Sequence, residues 1–231
     1  MVLQYVDQKA EAAFLTGSLV EGFGNALSDL DILVIVTNKS DHVLPPENPI
    51  NKRIDVEVLE HAEVDSAVNH LNNMDISGKG FPGIMNEDEL TVLHRLCIGI
   101  PFFNPEKART IQKSIDCTVL AKYITIYFQA HFRRMVEDAV GALQSEDFAT
   151  AFFNARSAFG YAVDAYLAFR GETNIRAKWR VKKLLKHDPS LLETYWKYEA
   201  SHVANTPEAI TDYVKEVIRY SNDLLLTIQG R

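Results

Sequence analysis

The stretch Leu15–Val36, LTGSLVEGFGNALSDLDILVIV, constrains this chain more than any other. It runs from a short apolar segment through Gly17-Ser18 and a glycine-rich turn (Gly22, Gly24) to Asp29 and Asp31, and then into five apolar residues. A buried strand gains nothing from acids at its mouth. On an extended backbone, residues i and i+2 point the same way, so Asp29 and Asp31 are expected to project together while Leu30 and Ile32 face the core. Two carboxylates that close repel, and one must take a proton unless a cation sits between them. Oxygen-only donors of this kind suit Mg²⁺, which binds through one or two carboxylates plus substrate phosphates. A cation site is therefore the natural explanation of the pattern.

The surroundings supply the rest of such a site. Asp31–Thr37 (DILVIVT) is β-branched and reads as a buried strand. Arg53–Leu59 (RIDVEVL) alternates with period two and reads as a strand with one apolar face, which puts Asp55 and Glu57 on the other. If the two strands are neighbours, Asp55, Glu57 or both complete a set of carboxylates able to hold two metal ions around a phosphoryl group. A strand-to-helix turn with Gly17 at its start lets backbone N–H groups approach phosphate oxygens closely, and Ser18 adds a hydroxyl.

The arrangement G-S-x3-G-x5-S-D-x-D (Gly17, Ser18, Gly22, Ser28, Asp29, Asp31), followed by an apolar strand and then Asp55, resembles the polymerase-β-like nucleotidyltransferase superfamily. The motif covers Leu15 to Leu59. The later part of the chain resembles, more loosely, the helical second domain of small-molecule members such as the aminoglycoside and lincosamide nucleotidyltransferases. The resemblance implies transfer of a nucleoside monophosphate, usually AMP from ATP, to a substrate hydroxyl with loss of pyrophosphate. It further implies that Asp29, Asp31 and Asp55 hold Mg²⁺, two ions in all, and that Gly17, Ser18 and Ser28 cradle the nucleotide. Glu57 is the expected general base, with Asp138 and Asp164 as rivals. Relatives that share an active site across a dimer make a homodimer conceivable.

Organisation along the chain fits that reading. Ala13–Thr16 is expected as a strand, Asn38–Asn51 with three prolines as a loop, and Glu89–Ile98 as a helix ended by Gly99-Ile-Pro101. From Cys117 the periodicity is helical: Cys117–Leu143, then a helix capped by Ser145 and ending at Gly171, then further helices opened by Asp188-Pro189-Ser190 and by Thr206-Pro207-Glu208. The expected fold is α+β, with a catalytic domain of a mixed sheet flanked by helices over residues 1–105 and a helical bundle over residues 106–231. The apolar stripe Phe148, Phe152, Ala155, Phe159, Ala162, Tyr166, Phe169 marks one helix face of the bundle. Asp164 lies with Ser157 and Gly160 on a small-residue face, where a substrate amine or a neighbouring helix would fit.

Arg170–His187 holds seven Lys or Arg residues and one acid. Lys178 from this segment is the expected contact for a triphosphate. Arg180 and His187 also match the Arg-x4-6-His spacing of HEPN ribonucleases, a short match in a lysine-rich helix. The balance of the chain is acidic, 24 basic against 31 acidic residues and a net charge of −7. That disfavours nucleic acid as a partner and suits a cationic small molecule. Cys97 and Cys117 make no CxxC pair and are expected as buried thiols. The histidines lack zinc spacing. No segment reads as a membrane span or a signal peptide, so the expected location is the cytoplasm. The competing reading is a non-catalytic, regulatory or antitoxin-like protein of the same fold that binds a partner protein.

Overall fold

The computed structural model describes residues 6–41, 53–74, 76, 84–200 and 206–229. The fold is α+β, and the chain divides into two compact units, Met1–Leu120 and Ala121–Arg231.

The first unit is built on a mixed sheet of four strands in the order β3-β2-β1-β4. These are β1 (Ala10–Thr16), β2 (Leu30–Val36), β3 (Ile54–Glu60) and β4 (Ile100–Phe103). β1 runs antiparallel to β2 and β4, while β2 and β3 are parallel. The central position of β2 explains its composition. Ile32, Leu33, Val34 and Ile35 are fully buried, so apolar residues are needed on both faces and no alternation appears. On one face Ile32, Val34 and Val36 pack with Ala10 and Ala13 of β1.

Short helices complete this unit: α1 (Gly17–Val20), α2 (His61–Asn72), α3 (Glu87–Ile98) and α4 (Pro105–Lys113). α2 starts with a reciprocal cap in which the Glu63 carboxylate accepts from the Glu60 N–H at 2.7 Å. It buries Val64, Ala67, Val68 and Leu71, one face at helical spacing. α3 opens on Asn86, whose side chain accepts from the Glu89 N–H at 2.9 Å.

Gly99-Ile-Pro101 does end α3, but Ile100 and Pro101 go straight into β4, an edge strand, where a proline is tolerated. Cys97 and Cys117 are not separate thiols: they form a disulfide with Cα atoms 6.2 Å apart. The chain from α3 through β4 and α4 doubles back and brings the start of α5 (Cys117–Gln144) to the end of α3, a proximity that spacing in sequence does not show. The expected loop Asn38–Asn51 lies largely outside the described residues. Its start holds a 3₁₀ turn, Lys39–Asp41.

The second unit is helical, with most of α5, α6 (Phe148–Phe169), α7 (Arg180–His187), α8 (Leu192–Ala200) and α9 (Pro207–Gln229). α6 packs most extensively on α9. Its burial is wider than a single stripe: Ala151, Ala158, Val163 and Leu167 are buried along with Ala155, Phe159 and Ala162, while Phe169 is 37% exposed. Small side chains let α6 be surrounded. Asp147, not Ser145, caps α6 by accepting from the Thr150 N–H, because the Ser145 hydroxyl donates back to the Gly141 carbonyl at 3.0 Å. Gly171 ends it with φ +93°, and Thr206 caps α9 through the Ala209 N–H. No helix among the described residues is long and apolar enough to cross a membrane.

Glu172 is nearly buried in this unit and accepts from the Asn174 N–H at 2.9 Å, with Lys186 and His187 at 3.1 and 2.9 Å. Burial alone would raise its pKa, but these donors together hold the carboxyl below its ordinary value of 4.5. The folded pKa being the lower one, this stabilisation is present above pH 4.5 and is lost as the pH falls through the folded value. The expected result is that Glu172→Gln flattens the acid limb of Tm measured from about pH 5 down to about pH 3.

Candidate active site

The carboxylates are brought together by strand register. Asp31 on β2 stands directly opposite Asp55 on β3 in the parallel ladder, and opposite Thr16 of β1 on its other side. Opposed residues of neighbouring strands share a face at a spacing of about 4.8 Å. Asp31 and Asp55 are therefore neighbours, Asp31 half-buried and Asp55 exposed. Asp29 lies one residue before β2. Its Oδ1 is buried with no hydrogen-bond partner among the described residues, and Arg53 Nε, on an exposed side chain, stands 3.6 Å away.

The glycine turn is packed against the same carboxylate. Gly17 has φ +73°, and a Cβ built on it would lie 1.8 Å from Asp31 Oδ2. Asp31 thus occupies the space that any other residue at position 17 would need. The turn closes on itself: the Phe23 and Gly24 N–H groups donate to the Ser18 carbonyl at 2.8 and 2.9 Å, and the Ser28 hydroxyl accepts from the Asn25 N–H at 2.8 Å. Ser28 is in that way a closure of the turn. Gly22 also has φ +73°, with nothing within 4 Å of a built Cβ. The two glycines separate two costs. Gly22→Ala is expected to lose about 1 kcal/mol from backbone strain alone, and Gly17→Ala about 2–3 kcal/mol because Asp31 must also move; denaturant unfolding of both variants checks the difference.

Glu57 shares the face of Asp55, and its carboxylate is ion-paired with the guanidinium of Arg95 on α3. Arg95 Nε also donates to Thr16 Oγ1 at 3.2 Å, so one mostly buried side chain ties β1 and β3 together beside the acids. Glu57 is held by this cation. Sequence reading missed Arg95, and the only signal for it is a lone arginine among the apolar positions Leu93, Leu96 and Ile98 of α3. Next to it, His94 Nε2 lies 3.3 Å from Glu21 Oε1, both side chains under 10% exposed, which fastens the end of the glycine turn to α3.

The donor chemistry fits a divalent cation. Asp29, Asp31 and Asp55 are hard oxygen ligands, two of them face to face by register, and the buried Asp29 Oδ1 lacks a hydrogen-bond donor.

The remaining candidates belong to the second unit. Lys178 is exposed in a 3₁₀ turn, Ala177–Trp179, with Nζ 5.2 Å over the Trp179 ring. Asp138 is exposed on α5. Asp164 is fully engaged within the bundle: Arg180 Nε and Nη2 donate to its Oδ2 at 2.9 and 2.7 Å, and buried Lys183 approaches Oδ1 at 3.4 Å. The neighbouring helix, not a substrate amine, is its partner. The Arg180–His187 spacing likewise resolves into two separate ion pairs, with Asp164 and with Glu172.

By sequence, no family profile and no curated protein matches the chain. Among solved structures it is similar to a nucleotidyltransferase-like protein from Exiguobacterium sibiricum 255-15, at 12% identity and a TM-score of 0.50, over 97% of this chain and 75% of that one. What the two share at that identity is a fold: the α+β fold of this chain is similar to that of the Exiguobacterium protein.

Proposed function

We propose that the chain is a divalent-cation-dependent nucleotidyltransferase that moves a nucleoside monophosphate, AMP from ATP, to a hydroxyl of a small molecule and releases pyrophosphate. The observation that supports this best is the Asp31–Asp55 register with Gly17 packed on Asp31, which places acids and a glycine turn at one end of the sheet. Asp29, Asp31 and Asp55 are the proposed ligands. A bound cation such as Mg²⁺, two in the resemblance, would neutralise charge on the reacting phosphoryl group and favour the hydroxyl's ionisation. The turn from Gly17 offers N–H groups and the Ser18 hydroxyl to phosphate oxygens. Arg95 and Glu57 keep β1 and β3 fixed around the acids, so Glu57 acts by positioning in this scheme.

The net charge of −7 favours a cationic acceptor, an aminoglycoside-like amino sugar being one class. Antibiotic modification is a role that would follow. A cytoplasmic location is part of the proposal. The second reading, a regulatory protein of this fold that binds a partner protein, is favoured by the ion pair that holds Glu57 on Arg95.

The test is incubation with each nucleoside triphosphate, Mg²⁺ and a panel of hydroxylated amines. The proposal expects pyrophosphate release coupled to a mass gain of about 329 Da on one acceptor with ATP. ATP binding without turnover on any acceptor favours the regulatory reading.

A further inference from the structure

Within the helical unit a cavity of about 270 Å³ is lined by Phe153, Arg156, Ser157, Tyr161, Arg180 and Glu199. None of these residues has a part in the carboxylate site. Both guanidiniums on its wall are held in place from behind. Arg180 is anchored by two bonds to buried Asp164, and it rests on the α6 backbone at Gly160, where a built Cβ would stand 2.6 Å from its Nη1. Arg156 Nε donates to Glu199 at 2.8 Å, while its two Nη groups carry no hydrogen bond among the described residues. Tyr161 is fixed by stacking on Phe128, centroids 6.1 Å apart, and its hydroxyl and that of Ser157 likewise have no protein partner among the described residues. Phe153 projects at the rim, 62% exposed.

The charges do not cancel. Arg156, Arg180 and Lys183 face Asp164 and Glu199, which leaves one positive charge over in the cluster. Planar donors oriented by carboxylates behind them are preorganised for an oxyanion, since the fork of an arginine matches carboxylate and phosphate geometry. The volume lies just below the usual range of ligand pockets, which suits a small ligand. We propose that this cavity binds a small organic oxyanion, with its carboxylate or phosphate on the Arg156 and Arg180 guanidiniums and the Ser157 and Tyr161 hydroxyls, and its apolar part against Phe153.

Calorimetric titration of the full chain with benzoate, phenyl phosphate, inorganic phosphate and benzylamine tests this. Saturable binding of either aryl oxyanion supports the site, the tighter of the two naming the head group. Inorganic phosphate should bind at least about tenfold more weakly and benzylamine not at all. Arg156→Gln, on a side chain 41% exposed, should weaken the aryl oxyanion at least about tenfold with unchanged Tm, and Phe153→Ala should bring it down towards inorganic phosphate. Absence of saturable binding by both aryl oxyanions, equal binding of benzylamine, or an unchanged affinity in both variants overturns the proposal. The experiment involves no triphosphate and no metal, so its outcome is independent of the proposed transfer reaction.

Discussion

Asp31→Asn should abolish nucleotide transfer, by about a thousandfold or more, while leaving the fold intact. The amide keeps the size and shape that fill the space beside Gly17, so packing is preserved. What it removes is one negative charge from a pair set side by side by the β2–β3 register. A ligand to a catalytic cation contributes several kcal/mol to the transition state, and each 1.36 kcal/mol is about tenfold in rate. Without cation the same change relieves carboxylate repulsion, so the Tm of the variant should equal or slightly exceed that of the parent. Added Mg²⁺ with ATP should raise the parent's Tm and leave the variant's unmoved. A variant that lost activity through misfolding would show the opposite order, a lowered Tm in the absence of any ligand.

The largest loss of stability is expected from Asp164→Ala. Asp164 is 2% exposed and balances two cations, Arg180 at 2.7 Å and Lys183 at 3.4 Å. Lys183 is itself 1% exposed, with its other contact at the Asn174 carbonyl, 2.8 Å away. Burial alone would depress the pKa of Arg180, and Asp164 holds it raised instead; without the carboxylate the guanidinium still stays charged, because its ordinary pKa lies far above neutral. Breaking a buried pair by deleting one partner costs about 3–5 kcal/mol, because an uncompensated charge stays inside. For a chain of this size that corresponds to a fall in Tm of roughly 10 °C. Asp164→Asn, which retains hydrogen-bond acceptance, should lose less. Thermal and denaturant unfolding of the two variants measure this directly.

These two sites differ in how far the sequence discloses them. Asp29, Asp31 and Asp55 stand out because charge at the mouth of an apolar strand has no packing explanation, and strand period then places Asp55 and Glu57 on one face. The parallel pairing that sets Asp31 against Asp55 is a tertiary fact, reached from sequence only through a family resemblance. Arg95 was hidden, since a single arginine in a helix looks like a solvated residue until α3 is laid against the sheet. The Asp164–Arg180–Lys183 cluster was half visible: the acid on a small-residue face was legible, but its partners lay in a segment that reads as a uniformly basic surface, and nothing local distinguishes buried Lys183 from exposed Lys182.

Element boundaries failed for similar reasons. α2 carries a clear stripe, Val64, Ala67, Val68 and Leu71, yet no helix is assigned there from the sequence. α4 buries only Ala108 and Ile111, too few positions for a period to show. β4 contains a proline that argues against a strand unless its edge position is already known. The disulfide between Cys97 and Cys117 depends on how α4 returns, and a spacing of 20 residues says nothing about it.

The central claim is that Asp29, Asp31 and Asp55 gather a divalent cation. Titration of Mn²⁺ into the full chain with a non-hydrolysable ATP analogue, followed by the loss of free-ion paramagnetic signal beyond that caused by the analogue alone, tests it most directly. Saturable uptake by the parent chain, lost in Asp31→Asn, is the expected result. Uptake by the variant equal to the parent's, or none by the parent, would contradict it.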